Sequence, residues 1–148
     1  MKRRTKIILG VILLVGIAGA VIGYRMWNQP HRDIHDEAAA FETSAVDLAA
    51  EFQKDAMAAE KKYHDKVVSF KGNVSEITPG DSLTSVSLKG NDFCGVVCEM
   101  LPGTKDAVSK IKVGDAVTVK AFFMGFIEGD VEFGMPGDVM FKKGLIVQ

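Results

Sequence analysis

The sequence predicts a mainly β domain, a five-stranded closed barrel preceded by an amphipathic helix, behind one N-terminal transmembrane helix. Three observations lead there. A cluster of cations opens the chain and gives way to an uncharged apolar run. Helical periodicity then fills one segment around residue 50. From Lys66 onward the apolar period is two, with a single interruption.

Lys2, Arg3, Arg4 and Lys6 precede residues 7–24, eighteen uncharged positions rich in Ile, Leu, Val, Ala and Gly. That length is at the short end of what crosses a hydrocarbon core of about 30 Å. A domain this small could not bury a helix that is apolar all round. Two fates compete for the segment. Ala18-Gly19-Ala20 offers the small residues of a signal-peptidase site, which would leave residues 1–20 as a cleaved leader. The apolar run continues past that site through Val21, Ile22 and Gly23, and ends in Tyr24, Arg25 and Trp27, residue types that settle at a membrane interface. Those flanks favour an uncleaved anchor. No cysteine lies near the end of the run, which excludes lipid attachment there. The cations before the helix place the N-terminus in the cytoplasm and the remaining chain outside.

Beyond residue 24 the chain carries fourteen Lys and Arg against nineteen acids, a net charge of −5. A domain of that sign repels phosphate backbones, so nucleic acid is disfavoured as a partner. Residues 25–42 hold Pro30 and alternating His, Asp and Glu without apolar period, and read as a polar stalk. The folded domain is expected over residues 43–148.

Its elements follow in order. Thr43 or Ser44 caps a helix, with Asp47 three residues after Ser44 in the capping-box position. Leu48, Phe52, Ala56, Ala59 and Tyr63 recur at helical spacing, predicting one amphipathic helix of about five turns. Val68, Phe70 and Val74 then alternate with Ser69, Lys71 and Asn73 in a first strand, where Gly72 marks a bulge or a barrel bend. Pro79-Gly80-Asp81-Ser82 turns the chain. Thr84, Val86 and Leu88 form a second strand, and residues 93–101 a third, with Cys94, Val96, Cys98 and Met100 on one face. A short helix is expected over residues 104–111. A fourth strand carries Val117, Val119, Ala121 and Phe123 on one face. After the acidic tip Glu128-Gly129-Asp130 comes a brief return strand near residues 131–133, ended by Met135-Pro136-Gly137. Val139, Phe141 and residues 145–147 supply the last strand. Three strands, a helix and a closing pair describe an OB-type barrel, with a plain antiparallel sheet under the first helix as its rival.

Tyr63-His64-Asp65-Lys66-Val67-Val68, leading into Phe70-Lys71-Gly72-Asn73-Val74, resembles the opening of the tRNA-anti-like family of OB-fold proteins. Lys112-Val113-Gly114-Asp115-Ala116-Val117-Thr118-Val119 resembles the approach to its fourth strand, and Leu48 with Phe52 its leading helix. The resemblance covers residues 44–147. It implies the fold and supplies no catalytic residues. Its link to anticodon-binding domains is fold analogy only.

Cys94 and Cys98, the only cysteines, lie about 13 Å apart at strand spacing. A disulfide requires roughly 7 Å or less between Cα atoms. Two buried thiols are therefore expected, unless that segment is helical or sharply bulged. His31 and His35, with Asp33, Asp36 and Glu37, would share a helix face suited to a metal, but a solvated linker fits the pattern better. Neither cysteine has a cationic surrounding that would activate it with His64. Glu128, Asp130 and Glu132 lack EF-hand spacing. No catalytic residue, metal or cofactor is predicted.

One feature points to binding. If Val117, Val119, Ala121 and Phe123 face the interior, Phe122 and Met124 face outward, with Phe126 just beyond. Outward aromatics on an OB barrel form a platform for a ligand or protein. Alternatively, the leading helix covers them as a second small core. The expectation is thus a non-catalytic, membrane-anchored binding or assembly module that contacts an envelope protein. A groove for an oligosaccharide, peptide or single-stranded nucleic acid is the alternative.

Overall fold

One long strand organises the barrel. The structure, a computed structural model, describes residues 3–28, 32–130 and 132–147. Contacts divide the chain into Met1–Arg32 and Asp33–Gln148. In the first unit, α1 (Arg3–Trp27) includes a 23-residue stretch, Thr5–Trp27, in which an 18-residue window reaches a mean hydropathy of 2.6. At 1.5 Å per residue that stretch is about 34 Å long, enough to cross a membrane. Its length and composition suit an anchor or a signal sequence.

The second unit contains β1 (Phe41–Ser44), α2 (Ala45–Lys54), α3 (Ala56–Tyr63), β2 (Val67–Pro79), β3 (Thr84–Leu88), β4 (Cys94–Met100), α4 (Lys105–Ser109), β5 (Ala116–Ile127) and β6 (Gly137–Val147). The first half of β2 pairs antiparallel with β5, from Val67↔Phe122 to Asn73↔Ala116. Its second half pairs with β3, from Val74↔Leu88 to Pro79↔Thr84. β3 continues to β4, β4 lies parallel to β6, and β6 returns to β5. The circuit β2-β3-β4-β6-β5-β2 closes a five-stranded barrel of OB type. A Cβ at Gly72 would lie 2.8 Å from the Ala45 Cβ and 3.3 Å from that of Leu88. Glycine thus lets α2 and β3 approach β2 where it passes from one half of the barrel to the other.

The interior is filled by alternate strand residues, including Phe70, Val86, Val96, Val119 and Phe141. α2 adds Leu48, Ala49 and Phe52 to the same cluster. Ser44 caps α2 as its position suggests: its Oγ accepts from the Asp47 N–H at 3.0 Å. The expected five-turn helix is two helices, however. Asp55, at φ −158°, ψ 92°, ends α2, and its Oδ1 accepts from the Ala58 N–H at 3.0 Å to cap α3. Asp is a strong N-cap, and here that local preference overrides a continuous apolar stripe. Glu51 ties the helices together through Lys62 Nζ at 2.9 Å and the Tyr63 hydroxyl at 2.9 Å.

Three further elements differ from expectation. β1 is an added strand, parallel to β2 from Phe41↔Val68 to Ser44↔Lys71; at four residues it is too short to show alternation. The segment read as stalk contributes Ile34, 1% exposed, which packs on Val67 and Phe122. Asp33 sets the turn that brings it in, accepting from the His35 N–H through Oδ1 and from the Asp36 and Glu37 N–H groups through its carbonyl. In place of a return strand near residues 131–133 there is one bridge, Asp130↔Met135, around a turn; Val131 lies outside the described residues.

Candidate binding surface

Phe122, Met124 and Phe126 do not form one platform. β5 bulges against β6 between Lys120 and Phe122 and again between Phe123 and Gly125, which breaks simple alternation. Phe122 does point away from the barrel interior, but it is 5% exposed beneath Ile34 and beside Val67. Phe126 is half-buried and stacks on Phe52 with ring centroids 4.9 Å apart. Met124 alone is open, at 47%. The covering by chain N-terminal to the barrel thus prevails, shared between α2 and the Ile34 turn.

The open face of the barrel is the outer side of β3, β4 and β6. Register places Ser85 beside Glu99, Ser87 beside Val97, Gly95 beside Asp138 and Val97 beside Met140. Burial holds the Asp138 carboxyl above its ordinary range. These paired residues include two carboxylates, Glu99 and Asp138, and farther along β6 Lys142 is exposed.

Two concavities flank it. A cleft of about 500 Å³ lies between the β2–β3 turn and α4, lined by Ile77, Pro79, Thr84, Lys105, Val108 and Ile111. A smaller one of about 200 Å³ lies under the β5–β6 loop, between Asp92 and Phe93 on one side and Gly129, Gly134, Met135 and Pro136 on the other. That loop is held by Asp130, whose Oδ1 accepts from the Glu132 and Phe133 N–H groups at 3.0 and 3.3 Å. The Met135 N–H returns to the Asp130 carbonyl at 2.9 Å. Gly134, at φ +64°, completes the turn. The result is Phe133 displayed at 76% exposure. Strand periodicity could not single out this residue. The signal was the Asp-x-x-Phe-Gly spacing, an Asx turn followed by a left-handed glycine.

The remaining candidates form no reactive site. Cys94 and Cys98 are free and fully buried on the inner face of β4. Burial, with Asp138 nearby, pushes the Cys94 thiol up to about 11, and burial pushes Cys98 higher still. That direction is opposite to the one a nucleophile needs. His35 is exposed, and His31 lies outside the described residues. Among the described residues no three His, Cys, Asp or Glu side chains gather as metal ligands.

The sequence model of the tRNA_anti-like family matches residues 1–132. The chain belongs to that family. The matched region takes in α1 and stops before β6, whereas the motifs read above lie within residues 44–147. No curated protein matches the sequence significantly. Among solved structures, the chain is similar to a candidate nucleic acid-binding lipoprotein from Klebsiella pneumoniae subsp. pneumoniae MGH 78578. The TM-score is 0.53 at 16% identity, over 81% of this chain and 100% of that one. At that identity the likeness shows the fold alone. A candidate aspartyl-tRNA synthetase from Leishmania major Friedlin aligns at TM-score 0.46 and 14% identity, over 90% of this chain and 26% of that one.

Proposed function

We propose that this tRNA_anti-like protein is a non-catalytic binding or assembly module, held at the membrane by α1 and facing away from the cytoplasm. Residues 1–24 serve as basic stub and anchor, and the OB domain meets an envelope protein through its outer surface. The observation that carries this reading is the character of the barrel itself. Its interior is packed with apolar side chains, and among the described residues no polar or charged side chain is buried. Binding therefore falls to the exterior, where Glu99 and Asp138 sit on the open face. Net charge of −5 beyond residue 24 argues against nucleic acid as the ligand. The cations before α1 argue for an N-terminus in the cytoplasm, and the interfacial Tyr24, Arg25 and Trp27 for retention of the helix.

The 500 Å³ cleft beside α4 favours a second reading, a groove for an oligosaccharide or peptide. Its size falls in the range of small-ligand sites. One experiment separates the two. A photocrosslinking side chain replaces Val97 on the open face, or Ile111 in the cleft, in the full-length protein in its native membrane. A discrete protein adduct from Val97 supports the module. Adducts with small ligands from Ile111 alone favour the groove. Single-stranded DNA bound at micromolar affinity with a steep salt slope would overturn both.

A further inference from the structure

We infer that the β5–β6 loop is a docking site for a cationic, apolar polypeptide segment, with Phe133 as its anchor. The inference rests on the binding-module reading and names the surface and the chemistry of the partner. Its first support is an exposed apolar pair. Asp130 accepts from the Glu132 and Phe133 N–H groups and Gly134 takes φ +64°, and Phe133 is 76% and Met135 58% exposed, whereas most aromatic rings of the domain are packed. An aromatic side chain has only two torsions to lose when a partner covers it, which suits an interface anchor. The second support is the adjoining 200 Å³ hollow, floored by Phe93, Met135 and Pro136, where an apolar side chain of the partner would enter beside the ring.

The third support fixes the partner's charge. Residues 121–141 contain Glu128, Asp130, Glu132 and Asp138 without one Lys or Arg, and Asp92 borders the hollow. A partner covering Phe133 brings its own charges within a few ångströms of these carboxylates. Cations there gain attraction and speed the encounter, while acids are repelled. The same argument disfavours the other apolar surface within reach of an anchored protein. An anionic bilayer would repel this loop just as it attracts basic segments.

The test uses the full chain in nanodiscs of zwitterionic lipid and a fluorescent twelve-residue peptide of alternating Lys and Leu. Saturable binding is expected, weakened at least tenfold by Phe133→Ala and similarly by Glu128→Gln with Glu132→Gln. Asp81→Asn with Asp106→Asn removes equal charge elsewhere and should change affinity less than twofold. Equal losses in the two charge pairs, or no loss in Phe133→Ala, would mean diffuse attraction and overturn the inference. So would failure of the peptide to bind. A Phe133→Trp reporter in a Trp27→Phe background supplies the bilayer arm. Strong quenching by brominated lipid would place the loop on the membrane and also overturn it. None of these outcomes touches the broader reading, which stands or falls on the Val97 crosslink.

Discussion

Gly144→Ala tests the packing of the barrel at the seam between β4 and β6. β6 bulges at Lys142-Lys143, where Lys143 takes φ 54°, and the strand then crosses Cys98 and Met100 of β4. A Cβ on Gly144 would overlap the Cys98 Sγ and lie 3.0 Å from the Met100 Sδ. Cys98 is 0% and Met100 2% exposed, so neither can swing into solvent. Gly144 is not among the positive-φ glycines, and the cost of a methyl group there is therefore steric. Overpacking of this kind costs about 1–3 kcal/mol. For a domain of this size that lowers Tm by about 4–12 °C. Cys98→Ala alone should cost about 1–1.5 kcal/mol for the lost sulfur and the small void. In the double variant the methyl occupies the space the sulfur left. The losses should then fail to add, with a coupling of about 1–2 kcal/mol. Near-UV circular dichroism of the full chain in detergent, followed through a thermal melt, reports Tyr63 and the phenylalanines of the domain, over a background from Tyr24 and Trp27 of α1 that is common to all the variants. Simple additivity, or a Gly144→Ala melt unchanged within 1 °C, would refute the reasoning.

Three other perturbations probe different layers. Phe52→Ala removes the ring that stacks on Tyr63, Phe123 and Phe126, and should cost about 3–5 kcal/mol in the same melt, while Val46→Ala, 53% exposed on the same helix, costs less than about 0.5. A chain begun at Arg25 should be soluble and melt as the full-length domain does, whereas one begun at Thr43 loses Ile34 and Phe41 and should melt at least 8 °C lower, about 2 kcal/mol or more. Folding holds the Cys94 proton more tightly, about 11 against an ordinary 9.0, so its contribution to stability is complete below pH 9 and is lost as pH rises toward 11; urea melts across that window should show the decline, and Cys94→Ala should make it shallower, with Cys98, which burial raises further, supplying the remainder.

What the sequence disclosed and what it withheld divide along a physical line. Alternation reports which face of a strand is buried, and it located β2 through β6 along with the two thiols of β4. Gly72 stood out in its strand, and its role is close approach, since a Cβ there would crowd Ala45 and Leu88; the register shift of β2 falls two residues on, between Val74 and Glu76. Periodicity is blind to a residue buried singly. Ile34, between Asp33 and His35, offers no pattern, yet the Asp33 turn folds it over Phe122. The candidate platform was lost for that reason. An outward-facing ring on a barrel strand is exposed only if nothing earlier in the chain returns to cover it. Asp55 shows the same limit in a helix: one capping side chain redirected a segment whose apolar spacing ran straight through it.

The fold and the charge of this chain point to different ligands, and the charge should decide. An OB barrel provides a scaffold on which loops and one open face can be furnished for many ligands. In this chain the open face bears Glu99 and Asp138, and the loop at its edge bears Glu128, Asp130 and Glu132 around an exposed Phe133. Phosphate contacts come from Lys, Arg and helix N-termini, and affinity for nucleic acid grows with their number. Reversing the sign at those positions removes the term that supplies most of that affinity. The same carboxylates would attract a cationic polypeptide, and the exposed Phe133 ring would give such a partner something apolar to hold. The packing of an OB barrel leaves such surface residues unconstrained, so under the proposed reading the choice of ligand rests with them and not with the core.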